Sequence, residues 1–103
     1  MGTGQEGDWS VNHQRYTFEL LPRKVVNFIK RRDQVTQERI NAAFEYIVRS
    51  PFRHENPTII KRLRGTKRER YRYRIGDIRF IYRVDREKRT IRIIQIDNRG
   101  DIY

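Results

Sequence analysis

Cysteine is absent from the 103 residues, which removes disulfides and thiolate metal sites and fits a reducing compartment. No apolar run approaches the roughly 20 residues that a membrane-spanning helix needs. Residues 1–14, MGTGQEGDWSVNHQ, lack the apolar core of a secretory signal and read as a flexible lead-in, so a cytoplasmic protein is expected. Acidic side chains are scarce, with 13 Asp and Glu against 24 Lys and Arg. That scarcity bears on chemistry, because a metal-dependent nuclease gathers carboxylates around its ions. Here Asp77, Asp85 and Glu87 sit where turns are expected and read as turn formers. Zinc spacings, a Walker loop, a GxSxG elbow and a dinucleotide fingerprint are all missing. The two histidines, His13 and His54, lie in polar segments and read as solvated rather than as general bases. No metal or cofactor is called for.

What the chain has in quantity is arginine. Its formal net charge is +11, unevenly spread. Residues 1–60 hold nine Lys/Arg against seven Asp/Glu, whereas residues 61–103 hold 15 against six. Arginine binds phosphate through a planar fork and stacks on bases, so nucleic acid is the expected partner, with an acidic protein as the other reading.

Length predicts a single domain over residues 15–103. Arg15–Leu20 alternates as a short strand. Pro22 suits the first turn of a helix, and Leu21, Val25, Phe28 and Ile29 follow at helical spacing. Asp33 or Thr36 can cap a second helix, whose apolar face is Ile40, Ala43, Phe44, Ile47 and Val48. Ser50-Pro51 stops it. Ile59, Ile60 and Leu63 mark a further strand, and Arg64–Arg70 is a basic turn. Tyr71, Tyr73 and Ile75 alternate with Arg72 and Arg74. Gly76-Asp77 then turns the chain back through Ile78, Phe80, Tyr82 and Val84. Thr90–Ile96, apolar on both sides of its alternation, is placed centrally in the sheet. The class is α+β, with two N-terminal helices on one face of a small, mainly antiparallel sheet. If the aromatic set packs under the helices, Arg72, Arg74 and Arg79 share the other face. Clustered guanidinium groups repel, so folding gives no reason to gather them, and a polyanion does.

Arginine and tyrosine can be chemistry. RNA carries its own nucleophile, the 2′-hydroxyl, and a ribonuclease can work by deprotonating it, neutralising the phosphorane and protonating the leaving 5′-oxygen. Arginine supplies charge but stays protonated, so it is no base. Arg99 and Tyr103 follow the last strand. Tyr103 is either a participant in proton transfer or an aromatic plug for the end of the chain.

The runs KRLRG (61–65), YRYRIGDIRFIYRVD, IRIIQI and NRGDIY resemble the RelE family of toxin–antitoxin ribonucleases, within the RelE/ParE superfamily, over about Tyr16 to Tyr103. The resemblance implies the RelE-like microbial RNase fold, whose curved sheet cups messenger RNA in the ribosomal A site and cleaves it by metal-independent 2′-hydroxyl attack. It implies an acidic RelB-like antitoxin as partner, and operator DNA bound only indirectly through that antitoxin. Arg79, Arg99 and Tyr103 take the catalytic positions. Arg72, Arg74, Lys61, Arg64, Lys67 and Arg68 take RNA-binding ones. The best-known members carry lysines where this chain has Arg72 and Arg74, which leaves the general base to Tyr103 or to no residue. Two other readings remain: a ParE-like toxin that inhibits DNA gyrase by protein binding, and a non-catalytic RNA- or ribosome-binding module. An apolar patch beside the helices is where an antitoxin helix is expected to dock.

Overall fold

A computed structural model describes residues 15–65 and 68–98. The expected lead-in 1–14, Lys67, Arg99 and Tyr103 lie outside the described residues. The elements run β1 (Thr17–Phe18), α1 (Arg23–Lys30), α2 (Gln34–Arg49), β2 (Ile60–Arg62), β3 (Arg70–Ile75), β4 (Ile78–Asp85) and β5 (Thr90–Asn98). The strands form one sheet in the order β1-β5-β4-β3-β2. β1 runs parallel to β5, and the other pairings are antiparallel. Among the described residues, no helix is long and apolar enough to cross a membrane.

The helices form where their apolar stripes require. Val25 of α1 and Ile40, Ala43, Phe44, Ile47 and Val48 of α2 are buried. Asp33 occupies the N-cap of α2, but its side chain makes no capping hydrogen bond. The corner is closed from the other direction. The Gln37 amide donates to the Ile29 and Arg32 carbonyls, both at 3.0 Å, and so satisfies acceptors left over where α1 ends.

Tyr71, Tyr73 and Ile75 face Tyr82, Phe80 and Ile78 across the β3–β4 ladder, and all six are buried with α2 above them. Tyr73 and Phe80 stack at 5.1 Å, and Phe44 meets Phe80 edge-on at 5.1 Å. Such cross-strand aromatic pairs hold both register and layer. The Tyr82 hydroxyl donates to the Pro51 carbonyl at 2.6 Å, which ties the loop after α2 into the core. Gly76 adopts φ +56 at the first turn position, the conformation that a two-residue hairpin of this kind asks of glycine.

Two expectations change. Arg15–Leu20 contributes only two paired residues, because Tyr16 N–H turns to the Val48 carbonyl, and Leu20 is left 95% exposed. The 90–96 segment is interior but not central: β4 takes the middle of the sheet. Its apolar doublet has a different cause. Ile81 pairs with Gln95 and Tyr82 with Ile93, so Ile94 is the extra residue of a bulge rather than a sign of two covered faces.

Candidate nucleic-acid interface

Side chains alternate across a strand, so the residues between the aromatic ones point away from the helices. The pairings put Arg70, Arg83 and Arg92 in one row. Lys61, Arg72, Ile81 and Gln95 form the next, and Arg74, Arg79 and Asp97 the third. The rows lie about 7 Å apart, two residues along a strand. Seven cations and one carboxylate thus share the face of the sheet turned away from the helices.

The side chains on this face are not equivalent. Arg92 is committed to Glu19 at 2.7 Å. Arg72 is 6% exposed, and its Nη1 donates to the Thr58 carbonyl at 3.2 Å. Arg74 Nη2 donates to the Thr58 hydroxyl at 2.9 Å. Arg74, Arg79 and Arg83 form no ion pair with any described residue. Ile81 is 4% exposed and lies between the outer rows as an apolar floor. The Nε of Arg70 is buried with no hydrogen-bond partner among the described residues.

The structure therefore brings Lys61, Arg72, Arg74 and Arg79 onto one face. Arg64 and Arg68 are exposed in the β2–β3 connection, and Arg68 borders a small cleft with Arg83. Arg68 extends the basic surface at the end remote from Arg79. Sequence reasoning passed over Arg70, Arg83 and Arg92 as site residues, although the same two-residue alternation reaches Arg70 from Arg72 and Arg83 from Arg79; Arg92 joins them only through its pairing with Arg83. It also passed over Thr58, which has no local signal. His54 is not free in solvent. It stacks on Tyr46 at 4.3 Å, and its Nδ1 accepts the Asn56 N–H at 3.0 Å.

None of the three sheet tyrosines Tyr71, Tyr73 and Tyr82 is placed to act as a base. Burial, reinforced by the hydrogen bond to Glu69, pushes the Tyr71 phenol up to about 12. Burial likewise raises Tyr73 and Tyr82. All three lie on the helix side. Glu69 is instead a structural clamp. It takes Arg86 Nε at 2.8 Å and Nη2 at 2.7 Å, and the Tyr71 hydroxyl at 2.6 Å. The Arg86 hydrogen bond, opposed by burial, holds the Glu69 carboxyl below its ordinary 4.5. The stabilisation is therefore complete above about pH 4.5 and is lost as pH falls through the lowered value. Thermal melts from about pH 6 to about pH 3 should show Glu69→Gln less stable than wild type at the upper end. The gap should close on acidification. Glu19, lowered by its hydrogen bond to Arg92, leaves some acid sensitivity in both proteins.

Two helices backing a sheet whose far face carries this charge define a small α+β domain with one strongly basic face. No family model and no curated relative matches the sequence. Solved structures do match in shape. The RelE of an archaeal RelE–RelB complex from Pyrococcus horikoshii is 22% identical with a TM-score of 0.70, over 85% of this chain and 98% of that one. Isolated E. coli RelE toxin is 19% identical with a TM-score of 0.61, over 86% and 90%. A mutant of E. coli toxin RelE in the free state is 17% identical with a TM-score of 0.63, over 85% and 87%. The chain has the RelE toxin fold.

Proposed function

We propose that this chain is the toxin of a type II toxin–antitoxin system and an endoribonuclease that cleaves messenger RNA in the ribosomal A site. The observation that carries the reading is the far sheet face, where Arg74 and Arg79 stand together with no carboxylate among the described residues ion-paired to either. Phosphate satisfies that arrangement. In the proposed reaction the substrate's own 2′-hydroxyl attacks the adjacent phosphorus and the 5′-oxygen leaves, a route that uses no bound metal. Arg79 holds the scissile phosphate and stabilises the charge that grows on its oxygens. Arg74 anchors the neighbouring backbone, and the buried Arg72 adds its charge from beside it. Arg99 assists the leaving group, and Tyr103 stacks on the base or moves a proton.

The partner is an acidic RelB-like antitoxin, in keeping with the RelE–RelB assembly seen for the archaeal protein. A groove of about 380 Å³ between α2 and β3, floored by Ala42, Ala43, Tyr46 and Tyr73 and edged by Arg39 and Arg74, suits an amphipathic segment with carboxylates on its flanks. Primer extension on messenger RNA in a purified translating system tests the reading. Wild type should cut within the A-site codon, and Arg99→Ala and Tyr103→Phe should cut far less. An absence of cuts, with gyrase supercoiling inhibited in parallel, would overturn it in favour of the gyrase-directed class.

A further inference from the structure

The loop between α2 and β2 reaches the basic face through one residue. The Thr58 hydroxyl donates to Asn56 Oδ1 at 2.8 Å and accepts from Arg74 Nη2 at 2.9 Å, while the Thr58 carbonyl accepts from Arg72 Nη1 at 3.2 Å. A hydroxyl has a single proton. Once Asn56 takes it, only lone pairs remain for the guanidinium, so the group is fixed as an acceptor. Asn56 is itself held: its Oδ1 accepts the Thr58 N–H at 3.0 Å, and its carbonyl accepts the Ile59 N–H at 3.0 Å. Ile59 in turn bonds the Arg74 N–H through its carbonyl at 3.0 Å. The turn and the strand are therefore stitched together on both sides of the Arg74 side chain.

We propose that Thr58 is a positioning residue that fixes the Arg74 guanidinium for a phosphate of the RNA, with the buried Arg72 held to its carbonyl beside it. This rests on the functional reading above, because the positioned Arg74 is a cation offered to the substrate. Two neighbouring cations left to themselves separate. A carboxylate at this position would hold them together but cancel the charge that binds phosphate. A neutral hydroxyl restrains the Arg74 fork without neutralising it. The ordering of two long side chains is then settled in the free protein rather than during binding.

The test combines Thr58→Val, nearly isosteric and lacking the hydroxyl, with Thr58→Ser, which restores it. Thr58 is exposed, so neither change disturbs the core. Binding of a mixed-sequence single-stranded RNA oligonucleotide should weaken about three- to tenfold in Thr58→Val and recover in Thr58→Ser. The slope of log K against log salt should stay at the wild-type value, because no charge is removed. In an Arg74→Ala background, Thr58→Val should weaken binding much less, since the main partner of its hydroxyl is gone. An undiminished effect in that background, or no effect in the wild type, overturns the proposal. Relaxation of the Arg74 Nε–H in the free protein separates this outcome from failure of the functional reading. If the unaltered chain binds no RNA, greater Arg74 mobility in Thr58→Val still supports the positioning role, and unchanged mobility overturns it.

Discussion

Arg79→Glu should abolish RNA cleavage and lower RNA affinity at least about 100-fold, while leaving the protein about as stable as before. The two effects come from the same pair of side chains. Arg79 lies directly opposite Arg74 across the β3–β4 ladder, and like charges in that position are destabilising by a few tenths of a kcal/mol to about 1 kcal/mol. A glutamate there turns that repulsion into attraction but sets two like charges opposite each other at Asp97. The two changes offset, so the melting temperature should stay close to that of wild type. For binding the sign is reversed. A charge-assisted hydrogen bond to phosphate contributes about 1.5–3 kcal/mol, which Arg79→Ala removes. The glutamate adds repulsion from the same phosphate, next to an Asp97 that already faces the position. Its carboxylate also draws on Arg74. The salt dependence should become shallower in both variants, by about 0.7 in slope for each single-strand phosphate that no longer has a cation against it. Arg92→Ala is the control on the same face. That guanidinium is already paired with Glu19, so its removal should change affinity little. Equal losses from Arg92→Ala and Arg79→Ala would mean that bulk charge, and not a built site, does the binding.

Local periodicity made one half of this architecture readable. The alternation of Tyr71, Tyr73, Phe80 and Tyr82 with Arg72, Arg74 and Arg79 separates core from surface before any tertiary contact is known, and the structure keeps that division. The helical stripe from Ile40 to Val48 is equally local, and all five of its residues are buried. What escaped is what depends on distant partners. The parallel pairing of Thr17-Phe18 with Thr90-Ile91 joins residues far apart in the chain, and nothing in either stretch names the other. The bulge at Ile94 looks like a strand buried on both faces, because an extra apolar residue and a second apolar face give the same letters. Arg72 is the sharpest instance. By alternation it belongs with Arg74 and Arg79 on the open face, and so it does, but it is buried there with a backbone carbonyl as partner. Alternation gives the direction of a side chain, whereas its exposure depends on what the 51–59 loop lays beside it.

Phe80→Ala should cost about 3–5 kcal/mol in unfolding free energy, the largest stability loss expected for this chain. Phe80 is 0% exposed on the central strand, with Tyr73 stacked on it and Phe44 and Tyr82 at 5.1 and 5.8 Å between ring centroids. Removing the ring deletes aromatic packing against α2 and β3 together, and rings held in stacked pairs cannot all move to fill one void. Domains of this size have about 5–15 kcal/mol in total, so the variant should unfold at much lower urea with its m-value unchanged. Phe80→Leu, which keeps most of the volume, should lose well under half as much. Function is expected to follow the core here, because Arg79 and Ile81 flank Phe80 on the same strand. Whatever position Phe80 takes under the helices sets the position of its two neighbours on the basic face. At a temperature where Phe80→Ala is still folded, a loss of RNA affinity with the salt slope retained would show that packing beneath the sheet aims the arginines above it. Unchanged affinity would show that β4 keeps its path without the ring, with the ladders to β3 and β5 sufficient to hold the face in register.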